Sequence, residues 1–263
     1  MQMAEIAQTP EGRVAAPPKA RPAPPREAWN ADARFYLSMG LVASLIVFLG
    51  FAPSFYLKSV IHAPTPPLTF LTVTHGLVFT AWMLLFITQS ALIVAGKPAP
   101  HRQLGIAGAI LFGVMISLGT STAITAGRLG HAPPGAPTPL AFMSLPLMAL
   151  VAATALVAAA LWNRRRPDWH KRLMVAAVFI MTGPGTGRIA IPLGLAPQGT
   201  AVAFAVADVL LLVAVAYDYL AHKRVHPAYI AAAAVFGVME AGVSWAFGSP
   251  AWLAFAKTLT GAA

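Results

Sequence analysis

Cysteine is absent from all 263 residues. That excludes disulfides, thiolate metal sites, iron–sulfur clusters, covalently attached c-type haem and cysteine nucleophiles. Charge is also scarce. Asp, Glu, Lys and Arg make up 10% of the chain, against about 25% in a soluble domain. The deficit runs along the whole sequence, so one anchor on a soluble domain does not account for it. No HExxH, Walker loop, GxSxG or GxGxxG occurs, which leaves the common zinc-protease, NTPase, hydrolase and dinucleotide chemistries without a motif.

What is present is apolar: 58% of residues are hydrophobic and the mean hydropathy is +0.70. Seven runs, at about 35–57, 68–96, 104–126, 139–162, 173–195, 199–220 and 228–247, each approach or exceed the ~20 residues that cross ~30 Å of hydrocarbon as a helix. In lipid the backbone must satisfy itself, so helices are the economical form. The expected fold is an all-α, polytopic membrane helix bundle of seven transmembrane helices spanning residues 34–263. Gly183-Pro184-Gly185 should break the fifth run. Ala251 to Leu259 reads as a short surface helix. Residues 1–33, rich in Pro, Ala and Arg, read as a disordered cytoplasmic tail without the apolar region of a signal peptide.

The net charge of +10 has a topological explanation. With the N-terminus inside, inner segments hold fourteen basic residues: Arg13, Lys19, Arg21, Arg26, Arg34, Lys97, Arg102, Arg164, Arg165, Arg166, Lys171, Arg172, Lys223 and Arg224. Outer segments hold three, Lys58, Arg128 and Lys257. The positive-inside rule therefore predicts N-terminus in, C-terminus out, in a bacterial inner membrane. Nucleic acid is not implied. The expected partner of the basic face is the anionic headgroup layer at the cytoplasmic side.

Ionisable side chains inside the runs carry the functional expectation, because a charge in hydrocarbon costs several kcal/mol and usually faces a cavity or the bundle interior. Arg188, Asp208, Glu240 and His75 are such residues. His75, Trp82 and Gln89 recur every seven residues and share one helix face. Ser117, Ser121 and Thr125 follow at i, i+4, i+8. Counting along alternating helices places most of these groups in the outer half of the membrane and Asp208 near mid-depth. The expectation is a small-ligand or proton-exchanging pocket, with Arg188 holding an anionic group and His75 or Glu240 exchanging protons. Carbonyls freed at the Gly-Pro-Gly break would assist. The competing reading is structural: Arg188 neutralises Glu240 or Asp208 as an ion pair.

A second candidate lies at the inner edge. His101, His170 and His226 each open a helix, and Asp218 with His222 forms an i, i+4 pair. A helix N-terminus disfavours imidazolium, so these groups could bind a divalent metal, or two of them a haem. The competing reading is a headgroup-binding surface, with Asp168 capping the fifth span and Trp169 anchoring it at the interface. A third possibility is a structural or assembly partner without a small ligand. The three inner loops also read as a weak repeat of helical hairpins. Retinal binding is excluded, since Ala228–Phe247 contains no lysine.

The ordered pieces His75-Gly76, Trp82, Gln89, His101-Arg102-Gln103-Leu104-Gly105, Asp168-Trp169-His170-Lys171-Arg172-Leu173-Met174, Arg188, Asp208, Tyr217-Asp218 and Arg224-Val225-His226-Pro227-Ala228 resemble a widespread uncharacterised family of bacterial multi-pass membrane proteins. The resemblance covers roughly residues 68–259. It implies that these positions are special and assigns them no activity. The basic, histidine-bearing inner loops also resemble those of haem-handling membrane proteins.

Overall fold

The computed structural model describes residues 26–62 and 65–261. The helices are α1 (Arg26–Phe51), α2 (Lys58–Ile61), α3 (Phe70–Val94), α4 (Pro98–Arg128), α5 (Pro139–Phe142), α6 (Ser144–Trp162), α7 (Pro167–Ile180), α8 (Gly183–Ala190), α9 (Gly199–His222), α10 (Pro227–Gly248) and α11 (Pro250–Thr260). No strand occurs among the described residues. Seven helical stretches are long and apolar enough to cross a membrane: Ala31–Tyr56, Phe70–Val94, Pro98–Arg128, Pro139–Trp162, Pro167–Ala190, Ala196–His222 and Pro227–Gly248. The architecture is that of a multi-pass membrane protein. Leu45, Leu49, Ile106, Ile110, Val151, Leu212 and Val238 are exposed on its outside. In water such a surface would drive aggregation; against lipid it is the solvated face.

The first helix begins at Arg26, eight residues before the expected start of the membrane domain. Residues 1–25 of the expected tail lie outside the described residues. Polar groups explain the early start, because Asp32 and Tyr36 have partners on three later helices, described below.

The fifth span is the least apolar of the seven and the most buried, with 61% of its apolar window inside the protein and no other span above 39%. A helix surrounded by helices can carry polar groups that lipid would not accept. It is broken as the Gly-Pro-Gly sequence predicts. Thr182 separates α7 from α8, and Pro184 sits in the first turn of α8, where its missing N–H is harmless. The break lets α8 press against α1. A Cβ on Gly185 would lie 2.9 Å from the Ile46 carbonyl oxygen and the Val47 Cα, and a Cβ on Gly50 would collide with the Gly185 backbone. The two glycines permit a backbone-to-backbone crossing of the small-residue kind.

At its C-terminal end α1 widens into a π-turn, Ala52–Tyr56, closed by Leu57 N–H donating to the Ala52 carbonyl at 2.7 Å. Pro53 lies in its first turn. It has no N–H to give to the regular ladder, which favours this wider register. The turn seats the Phe55 ring over Gly76 of α3, where a Cβ would collide with it. Tyr56 and Thr80 share a hydroxyl hydrogen bond of 2.6 Å.

Helices α3 and α4 form one close hairpin and α6 and α7 another. The third copy of the expected repeat is looser, since α10 packs more extensively on α6 than on α9. Helix α11 docks on α4, α5 and α10. Trp252 is buried there, and its indole N–H donates to the Leu140 carbonyl at 2.9 Å.

Candidate functional site

At the end that carries the basic hairpins, four helices converge on a buried polar network. Arg172 of α7 is 3% exposed and its Nε donates to Asp218 Oδ1 of α9 at 3.0 Å, with Nη2 on the same oxygen. Asp218 Oδ2 accepts the His226 backbone N–H at 2.8 Å. Arg172 Nη1 donates to the Asp168 carbonyl at 2.9 Å. Beside this pair, Asp32 of α1 binds Lys171 Nζ at 2.5 Å and accepts from the Tyr217 hydroxyl at 2.9 Å. His222 lies between the two aspartates, with Nδ1 3.2 Å from Asp218 and Nε2 3.4 Å from Asp32. Tyr36 and Tyr229 join hydroxyls at 3.1 Å, and the Phe35 and Tyr217 rings stack at 3.7 Å. Every buried charge here has an opposite charge and additional hydrogen bonds, which is the condition for an ion pair to survive burial.

The sequence identified Asp218 with His222, and the resemblance marked Lys171, Arg172 and Tyr217 without a role. Asp32 fell inside the expected tail. Asp32 is one of eight acidic residues, and that rarity was the available signal. Asp168 does not cap α7: its N-cap is Arg166, without a side-chain cap bond. Asp168 lies in the first turn and pairs with Lys171 at 3.5 Å and Arg172 at 3.6 Å. Trp169 packs edge-on to the His226 ring at 5.2 Å and against the hydrophobic core.

The outer-half residues do not form one cluster. Arg188 has no carboxylate within ion-pair distance among the described residues, so the ion pair with Glu240 or Asp208 is absent. It is exposed, its Nη1 donates to the Pro184 carbonyl at 3.0 Å, and its guanidinium lies 4.1 Å from the Phe51 ring centre. Carbonyls at the break are therefore already used: Pro184 by Arg188, Phe179 by the Thr182 hydroxyl at 2.7 Å, and Thr182 by the Thr186 hydroxyl at 3.1 Å. Arg188 stands near enough to His75 for its charge to act on that ring. His75 packs on Phe79 at 4.1 Å, and its Nδ1 is buried without a partner.

Asp208 and Glu240 lie on the packed helices α9 and α10, close enough for the Asp208 charge to act on Glu240. Glu240 Oε1 is buried without a partner, and Asp208 forms no ion pair among the described residues. Phe204 and Ser244, one turn beyond these carboxyls, line an open hollow of about 390 Å³ with Pro137, Thr200 and Phe247.

Ser117 and Ser121 turn away from any pocket. Both are exposed, and their hydroxyls donate to the Gly113 and Ser117 carbonyls of their own helix at 3.1 and 2.9 Å. The buried, unpartnered hydroxyl on α4 is that of Thr122. Trp82 is a core residue against Phe86 and Phe112. Gln89 lies along α4, its amide nitrogen 3.4 Å from where a Gly105 Cβ would stand, and its Oε1 is buried and unpartnered.

The inner histidines separate as well. His226 is the N-cap of α10, its Nδ1 accepting the Ala228 N–H at 3.1 Å. Burial, then the Arg172 guanidinium, holds its imidazole below the ordinary histidine range. His222 belongs to the aspartate network. Only His101 and His170 meet, with ring centres 6.3 Å apart. Among the described residues, no group of three or more His, Asp or Glu side chains is placed to hold a metal. The expected five-residue set His101, His170, His226, Asp218 and His222 is thus divided among three separate arrangements, because each of the last three has a protein partner of its own. Comparison of the chain with family models, curated proteins and solved structures finds no match.

Proposed function

We propose that the protein is a proton-exchanging membrane protein that takes a small solute from the outer side of the bacterial inner membrane, with Asp208 and Glu240 as the exchanging groups. One observation carries the reading: an open hollow ends one helical turn from two neighbouring carboxyls that no basic side chain among the described residues neutralises. Two carboxyls so placed in a low-dielectric site take up and release a proton as a unit. Glu240 Oε1 has no protein partner, so a proton, water or ligand donor completes it. Arg188, with the His75 ring beside it, is a separate cation suited to an anionic group. Placing the basic hairpins in the cytoplasm, by the positive-inside rule, turns the hollow outward. Transport, sensing and membrane-embedded catalysis share this chemistry. The resemblance in the sequence is consistent with it, since Arg188 and Asp208 are among the matched positions.

A hydrophobic carbodiimide, which couples to protonated carboxyls in apolar sites, tests the proposal on reconstituted protein. An adduct at Glu240 is expected, decreasing as pH rises, absent in Glu240→Gln and altered in pH dependence in Asp208→Asn. No adduct at either carboxyl across the pH range would remove the proposal.

A further inference from the structure

His101 and His170 occupy equivalent places in two hairpins. Each is the fourth residue of its helix, in Pro98-Ala-Pro-His101 and Pro167-Asp-Trp-His170, and each is followed by a basic residue and a leucine two or three positions on. Each ring is held in the same way. His101 Nδ1 lies 3.2 Å from the Gln89 carbonyl of the preceding helix, and His170 Nδ1 lies 2.9 Å from the Ala160 carbonyl of its preceding helix. A carbonyl only accepts, so both Nδ1 atoms carry the proton and both Nε2 atoms present a lone pair. Among the described residues neither Nε2 has a hydrogen-bond partner, and neither is among the fully buried atoms.

The rings stand 6.3 Å apart, centre to centre, at 86°. Two imidazoles bound to one metal at ~2 Å through Nε2 have ring centres roughly 5–6 Å apart, within a small rotamer adjustment of the observed spacing. Imidazole Nδ1–H donating to a backbone carbonyl, with Nε2 free, is also the arrangement that orients metal-bound histidines. The buried Oε1 of Gln89, the residue whose carbonyl fixes His101, is unpartnered and is a further oxygen donor near the pair.

We propose that His101 and His170 bind one divalent transition-metal ion, with zinc as the reference ion, at the basic end of the bundle. Neutral imidazole suits zinc, copper, nickel and iron and leaves magnesium and calcium aside. Two protein nitrogens leave coordination positions open for water or for a phosphate oxygen, and Arg102, next in sequence to His101, favours an anionic completing ligand. The site is independent of the Asp208–Glu240 reading, since it lies at the opposite end of the bundle.

The test uses the full chain in detergent, stripped with chelator and titrated with Zn²⁺ and with Co²⁺ as an optical probe. One equivalent is expected to bind. His101→Ala and His170→Ala should each lower affinity at least ~100-fold, beyond the 10–100-fold loss of a supporting contact, while His131→Ala leaves it unchanged. Should either alanine variant misfold, the native protein still decides the matter. Bound Zn²⁺ should protect His101 and His170 from acylation by diethylpyrocarbonate. No saturable binding, equal affinity in all three variants, unprotected histidines, or a Soret band showing haem in the site would each overturn the assignment.

Discussion

At the scale of single residues, charge in this protein follows two rules. Arg172 and Asp218 are buried and fully engaged, whereas Arg188, Asp208 and Glu240 have no ionic partner among the described residues. The first pair makes structure. Removing one member strands the other in a low-dielectric site, which costs about 3–5 kcal/mol. Arg172→Met and Asp218→Leu should each lower thermal stability in detergent by that order. The double variant should recover most of the loss, because no buried charge remains. Additive single losses would contradict the pairing. The residues most visible in the sequence were the unpaired ones, since a charge amid apolar neighbours stands out. The buried pair was concealed by position: Arg172 and Asp218 fall near span ends, where charges are ordinary, and nothing in a linear chain tells which of them turn inward.

At the scale of helices, breaks and glycines set the geometry. The interruption at Gly183-Pro184-Gly185 was legible because proline and glycine act locally. Its partner was not, since a glycine contact between residues 50 and 185 depends on which helices become neighbours. The π-turn at Ala52–Tyr56 was unread for a related reason: Pro53 announces a defect and does not specify its form. Gly185→Val should force α8 away from α1. Overpacking of this kind costs typically 1–3 kcal/mol, which corresponds to a melting point lower by about 2–12 °C. Gly187→Val, where a Cβ meets nothing within 4 Å, should be nearly neutral. Equal melting points for the two variants would show that the helices do not meet through Gly185.

At the scale of the whole molecule, the number, order and approximate limits of the seven spans were legible from run length alone, because the bilayer fixes a length and lipid demands apolar faces. Which spans pack together was not, since the hydropathy pattern is uniform around most of these helices. Orientation is open to a direct test, because the chain has no native cysteine. Single cysteines at Gly130 and Gly248 should react with impermeant maleimide from outside intact cells, and those at Lys97 and Lys223 only after lysis. The reverse pattern would invert the fourteen-to-three distribution of basic residues and place the hollow on the cytoplasmic side.

The network joining α1 to α7, α9 and α10 also has a consequence for biogenesis. Tyr36 meets its hydroxyl partner 193 residues further along the chain. At ribosomal speeds of ~5–20 residues per second, that partner emerges roughly ten to forty seconds later. For most of that interval the first helix inserted carries an aspartate and a tyrosine with nothing to bind, at the edge of the bilayer. The nascent protein must keep Asp32 wet, or shielded by an insertion factor, until the fifth span brings Lys171, and Tyr36 waits for the last span.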